Sequence, residues 1–368
     1  MNEQGVRTKA WYCSDESIRG AIDLEFGTNV KWDIPLLEGY EFCFYKNYSW
    51  KSSHTRGFFG LINLGMVRQL FREPKSIIIV HGWHYFTHFF IIMLGKMIGH
   101  TICVRNEIPQ KQEVLKTGCK QVIKKILLKY VLFPRIQYFL YIGKQNYSLY
   151  KAYRLPERQL VFCPYAIDNK RFIAQSHLLK KRKLKIKFNL NIPVSSHVIL
   201  YAAKYIEKKN PLDLLEAFCY ISDPNCWLIM VGEGEMRKEM EKFISKNSLK
   251  QVILTGFINQ SIISEYYAIS DVFVMCSGEW ETWGLSVNEA MNFNLPLILS
   301  DLTGCSDDLV HEGENGYVFK TGNVEELASK IKQVLIENKL TWNVSSEELV
   351  KKYSYATILS NLKNKVLQ

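Results

Sequence analysis

Glu281 and Glu289 stand with seven residues between them, Thr282-Trp283-Gly284-Leu285-Ser286-Val287-Asn288. Ionised carboxylates accept strong hydrogen bonds from hydroxyl groups. A pair at this separation, bracketing the start of a helix, suits hydroxyl-rich groups held on either side of a phosphate. The same residues permit a plainer reading, because Ser286-Val287-Asn288-Glu289 is also a capping box in which Glu289 only returns to the helix N-cap. Both readings stay open at the level of spacing.

The elements around the pair make the first reading physical. A strand is expected over residues 272–276, a loop follows, and a helix begins near Ser286, so free backbone N–H groups and the positive end of the helix dipole face the crevice beyond the strand ends. An anion such as a diphosphate fits there. The flanking sequence supplies a series of such units: strands at 198–203, 227–231, 252–255, 272–276 and 296–300, with helices at 211–221, 235–245, 261–268 and 286–293 between them. Alternation of this kind predicts a doubly wound α/β domain with a parallel sheet.

The first half carries a second, similar series, with strands at 9–13, 76–81, 101–105, 138–142 and 160–164 and a buried helix at 85–99. His81 ends one strand and Arg105 the next. His81 is either a group facing a cleft or a satisfied structural histidine; Arg105 either meets a phosphate or acceptor or pairs with Glu107. Gly232-Glu233-Gly234 follows a strand but lacks the third glycine of a dinucleotide fingerprint. Residues 167–192 change texture to a Lys/Arg-dense, weakly periodic segment that reads as a linker. The expected division is 1–180, an acceptor-side Rossmann-like domain; 181–345, a nucleotide-sugar-binding one; and 346–368, a C-terminal helix packing back on the first domain.

Five ordered matches give the second half a family likeness: Tyr201-Ala202-Ala203-Lys204-Tyr205-Ile206-Glu207-Lys208-Lys209-Asn210-Pro211, Val231-Gly232-Glu233-Gly234, Leu254-Thr255-Gly256-Phe257, Ser270-Asp271-Val272-Phe273-Val274 and Asn315-Gly316-Tyr317-Val318-Phe319. With Glu281-Thr282-Trp283-Gly284-Leu285, Glu289-Ala290-Met291 and Leu295-Pro296-Leu297-Ile298 they resemble the signature of family 4 retaining glycosyltransferases. That resemblance implies the GT-B fold, two Rossmann-like domains facing a cleft. It implies that Glu281 meets the donor sugar and Glu289 the ribose diol. Lys204 and Lys209 would neutralise the diphosphate, backbone at Gly284 and Leu285 would donate to the phosphates, and Gly256-Phe257 would lie beside the base. His81 would sit near the donor sugar. The family's first strand, Gly-rich loop and helix have no counterpart here, since Gly5–Cys13 resembles its second strand, and the first domain is therefore expected to be incomplete.

The implied activity is transfer of a sugar from a nucleoside diphosphate sugar, UDP by family context, to a saccharide or lipid-linked hydroxyl acceptor with the anomeric configuration kept, in bacterial cell-surface polysaccharide or glycoconjugate assembly. The competing readings are a non-catalytic sugar-nucleotide-binding remnant and another GT-B enzyme such as a sugar-nucleotide epimerase. No D-x-D sequence offers a metal site, so no cofactor or metal is expected, and lysines with a helix start would meet the leaving-group charge.

Composition agrees with a globular protein, at 47% hydrophobic and 23% charged residues over 368 positions. The net charge of +11 lies in the first half: residues 1–175 hold 25 Lys+Arg against 13 Asp+Glu. Much of this excess falls in residues 111–135, where Lys116, Lys120, Lys124, Lys125 and Lys129 interleave with apolar residues. Such a helix either rests on anionic lipid or packs in the core with a solvated basic face; nucleic acid is the weaker option, since no recognition motif accompanies the charge. Nine scattered cysteines without zinc spacing read as reduced thiols, and no signal or spanning segment is expected. The implied location is the cytoplasm, peripheral on the inner face of the membrane.

Overall fold

The structure, a computed structural model, describes every residue except 3–4, 20–21, 24–27, 30–31, 51–52, 54–55, 342–343 and 368. The chain divides into two compact units: Met1–Arg19 with Pro35–Pro164 and Ala356–Gln368, and Gly20–Ile34 with Tyr165–Tyr355.

The first unit is built on a four-stranded parallel sheet in the order Ile77–His81, Thr101–Arg105, Tyr138–Tyr141, Leu160–Phe162. Helix Phe86–Met97 follows the first of these strands and buries Ile91 and Ile92 on the sheet. A separate parallel pair joins Lys9–Tyr12 to Glu41–Phe44, the second strand being absent from the sequence reading. Helix Tyr355–Lys365 closes one face of the unit, packing Leu362 with Cys103, Leu140 and Val161. Asn361 and Lys365 donate to the Phe162 and Leu160 carbonyls, capping strand groups left open at the sheet edge.

The second unit carries six parallel strands in the order Val252–Leu254, Cys226–Val231, His197–Ala202, Val272–Met275, Leu297–Ser300, Gly316–Phe319. The strand direction of travel reverses beside His197–Ala202, between it and Val272–Met275, which is where a doubly wound sheet opens its ligand crevice. Leu200, Leu228, Ile229, Val274 and Ile298 are fully buried, as near-continuous apolar strands covered on both faces require. Sequence pattern supplied five of these strands; the sixth, Gly316–Phe319, was read only as a motif.

Residues 169–189 are not a linker. They form helices Asn169–Lys180 and Lys183–Asn189, and the units part at Pro164/Tyr165 rather than at 180. Phe172 and Leu179 are buried two turns apart in the first helix and Ile186 in the second, an apolar signal that the intervening lysines and arginines obscure. Asp168 starts the first helix, its carboxylate accepting from the Arg171 N–H. Lys187 is itself buried and donates to the Ser196 carbonyl at 2.6 Å.

Candidate functional site

Two loops in the second unit bring the expected residues together. The first, after strand His197–Ala202, carries Lys204 and Lys209; the second, after Val272–Met275, carries Glu281. They are tied by backbone and side chain: Gly278 N–H donates to the Lys208 carbonyl at 2.8 Å, and the Asn210 amide donates to the Cys276 carbonyl at 3.1 Å. Asn210 takes a left-handed conformation (φ 44°) as it turns into helix Pro211–Ile221, a state Asn tolerates better than most residues. The buried Tyr201 hydroxyl reaches the Lys204 and Lys209 carbonyls, both at 3.3 Å, and fixes the loop from beneath.

These ties place the Lys209 ammonium on the Glu281 carboxylate, with both side chains largely buried, and Ser277 donates to the same carboxylate oxygen at 3.2 Å. The Glu281 loop is supported from behind by Gly304, whose N–H donates to the Glu281 carbonyl at 3.2 Å. A Cβ at Gly304 would lie 2.0 Å from the Thr282 carbonyl oxygen, so only glycine fits.

The helix after this loop runs Leu285–Met291, about two turns, with Gly284 at its N-cap (φ 99°) and no side-chain cap. It starts one residue before Ser286 and stops short of 293. The capping box is not formed: the Glu289 carboxylate instead accepts from the Tyr267 hydroxyl at 2.7 Å and from the Gln260 amide at 3.2 Å. Arg171 grips Gln260 through its carbonyl (2.9 Å) and side-chain oxygen (2.6 Å), so Glu289 is held by a relay from helix Asn169–Lys180. Burial pushes the Glu289 carboxyl above its ordinary range, while the Tyr267 and Gln260 hydrogen bonds and the Arg171 charge pull it back. Trp283 is core: its indole N–H donates to Asn288, and its ring packs between Tyr165 and Tyr353.

Gly256 has φ 78° and its carbonyl accepts from the Gly232 N–H at 3.1 Å; the Phe257 ring meets Trp32 edge-on. Gly232 and Gly234 press against the Ala203 and Tyr205 carbonyls, where an added Cβ would fall at 2.0 and 2.4 Å. Close backbone packing accounts for both glycines.

In the first unit, His81 and Arg105 are paired across adjacent strands at the carboxyl end of the sheet. Surrounding protein, then the Arg105 charge, lowers the His81 pKa, with Glu107 opposing. The Arg105 guanidinium donates to the Pro164 carbonyl at 3.2 Å. Gln260, Tyr267, Arg171 and Ser277 were not singled out in the sequence; they are common residue types whose relevance comes from contacts across the fold.

A cavity of about 820 Å³ in the second unit opens among His197, Asp271 and Pro296. These residues lie at the amino ends of their strands, opposite the ends that carry Glu281 and Lys209, and the cavity belongs to neither loop. Among the described residues, no group of His, Cys, Asp and Glu could hold a metal ion. None of the nine cysteines is paired in a disulfide.

Two Rossmann-like units of parallel sheet, with paired loops at the strand ends of the second, define the GT-B class. A solved structure of HepE from Anabaena, in complex with UDP and glucose, matches with a TM-score of 0.65 at 15% identity, covering 89% of this chain and 86% of that one. Residues 182–354 match the family model described as "Glycosyl transferases group 1", and this part of the chain is a group 1 glycosyltransferase domain. Relatives include alpha-monoglucosyldiacylglycerol synthase of Acholeplasma laidlawii, 29% identical over 201 residues, which are 54% of this chain and 49% of that protein. A sulfoquinovosyl transferase of Arabidopsis thaliana is 27% identical over 191 residues, 50% of this chain and 36% of that protein. The matched part thus spans about half of the first relative and about a third of the second.

Proposed function

We propose that the protein is a metal-independent, retaining glycosyltransferase that moves a hexose-type sugar from a nucleoside diphosphate sugar, UDP-linked, to a hydroxyl acceptor in cell-surface polysaccharide or glycoconjugate assembly. The observation that carries this reading is the Lys209–Glu281 pair held beside the uncapped start of helix Leu285–Met291, inside a group 1 glycosyltransferase domain. The diphosphate would lie against the Gly284–Leu285 backbone with Lys204 and Lys209 as its cations. A two-turn helix has a small dipole, so the ammonium groups supply most of the charge. Glu289, fixed by Tyr267 and Gln260, would take the ribose diol, and Gly256-Phe257 would border the base.

In the proposed reaction the acceptor oxygen bonds to the anomeric carbon on the face from which the diphosphate departs, as the bond from that carbon to the phosphate oxygen breaks. The leaving phosphate oxygen takes the acceptor proton, giving a glycoside and the free nucleoside diphosphate. Stabilising the charge that builds on that oxygen is the main catalytic work. His81 and Arg105 enter on the family resemblance alone, as groups for the donor sugar and for a phosphate or acceptor. The diacylglycerol product named for the Acholeplasma relative supports a lipid acceptor, and the UDP and glucose bound by the Anabaena protein support the donor class. A lipid-linked acceptor would be met at the inner face of the cytoplasmic membrane.

The test is release of UDP from a panel of UDP-sugars, with NMR of the anomeric proton in the first product formed. Turnover with retained configuration supports the proposal. Binding of UDP without release from any donor favours a non-catalytic remnant.

A further inference from the structure

The basic stretch of the first unit is not a core helix with a solvated back. Residues Cys119–Leu127 and the wider turn Leu128–Leu132 that continues them bury Gln121, Leu128 and Leu132. Val122, Ile123, Ile126, Leu127 and Tyr130 are all exposed, between 45% and 67%. At about 100° per residue these five fall on one face, directed away from the buried side. The same rotation sets Lys120 and Lys124 along one border of that face and Lys125 and Lys129 along the other. Between Val114 and Arg135 there are six Lys and Arg and no Asp or Glu. The nearest acid, Glu113, is buried and already held by Lys116, Lys124 and Gln121.

We infer that this face is a docking surface for an anionic phospholipid bilayer, with the apolar stripe entering the acyl boundary and the exposed Lys120, Lys125 and Lys129 meeting lipid phosphates. Five large apolar side chains left in water by a folded protein signal an interaction site. A protein partner would need acids to match the lysines; a bilayer supplies negative charge on both sides of an apolar layer, which is the arrangement the stripe and its borders complement. Long lysine stems let the charges rise to the headgroups while their methylenes stay with the stripe. The inference deepens the proposed membrane-side setting and rests on it only for the acceptor; the surface itself stands on exposure and charge.

The experiment is co-sedimentation of the full chain with phosphatidylcholine vesicles with and without phosphatidylglycerol, at low and high salt. Two variants are compared: Lys120→Gln with Lys125→Gln and Lys129→Gln, and Ile123→Ser with Ile126→Ser. Every altered side chain is exposed, and calorimetric UDP titration of each variant checks that the second unit is intact. Binding should require phosphatidylglycerol, weaken with salt, fall about a hundredfold in the lysine variant and at least tenfold in the isoleucine variant. Equal binding to neutral vesicles, or no loss in either variant, overturns the inference. So does a dimer in sedimentation velocity that the isoleucine variant dissociates, which would assign the stripe to a second copy. Vesicle binding lost with UDP binding kept, or the reverse, separates failure of this surface from failure of the functional reading.

Discussion

The Lys209 ammonium is paired with the Glu281 carboxylate across two loops that leave different strands of one sheet. With both side chains mostly out of water, removing one partner strands the other. Lys209→Ala should cost about 3 kcal/mol in urea unfolding, whereas Glu281→Gln, which leaves a lysine able to reach solvent along its stem, should cost less. Both should lower turnover by about a hundredfold or more, and equal stability with full turnover in either variant would remove the pair from the chemistry.

Glu289 separates binding from stability. Its folded pKa is raised by burial, so its stabilising contribution is complete below the unfolded value and is lost as pH climbs through the folded value. At neutral pH the charge is a cost carried for binding. Glu289→Gln should therefore raise the donor KM while leaving the melting temperature at pH 7 equal or higher, and the difference in melting temperature should shrink as the pH approaches the carboxyl range. A capping role would instead give a loss of about 1 kcal/mol with activity kept.

Gly304 tests whether the Glu281 loop needs its backing. With the Thr282 carbonyl oxygen 2.0 Å from a would-be Cβ, Gly304→Ala must displace backbone rather than a flexible side chain. Loss of about 1–3 kcal/mol, together with a fall in kcat, is the expected outcome of thermal melting and a donor assay. Unchanged melting would mean the loop tolerates the shift.

His88 gives the first unit a pH dependence. Burial, then the neighbouring His84 and His81, pull its pKa down to about 4, and its Nε2 lies 3.8 Å from the Cys13 sulfur. A lowered histidine stays neutral in the fold while the unfolded chain takes up a proton, so stability is full above the unfolded value near 6.5 and falls as pH drops from there toward 4. The loss should approach about 3 kcal/mol. Melting curves at pH 7.5 and 5 should show it, and His88→Phe should flatten the difference.

Much of this was legible in the sequence, for identifiable reasons. Runs such as Val198 to Leu200 and Val272 to Met275 are apolar on both faces, which marks parallel strands directly. The helix pair 169–189 was not legible, because Phe172, Leu179 and Ile186 are diluted by Lys170, Arg171, Lys180 and Lys181. Strand Glu41–Phe44 hid in an aromatic-rich stretch without a flanking helix pattern. Glu281 and Glu289 could be picked out by spacing, but their partners could not. Lys209 is 72 residues from Glu281, and Tyr267 is 22 from Glu289; only the folded sheet joins them.

The most direct measurement is a crystal structure of the protein soaked with UDP. The account predicts the diphosphate against the Gly284–Leu285 backbone, within hydrogen-bond reach of Lys209 and Lys204, and the ribose hydroxyls on the Glu289 carboxylate. UDP bound elsewhere in the second unit, with the Lys209–Glu281 pair and Glu289 untouched, would contradict it.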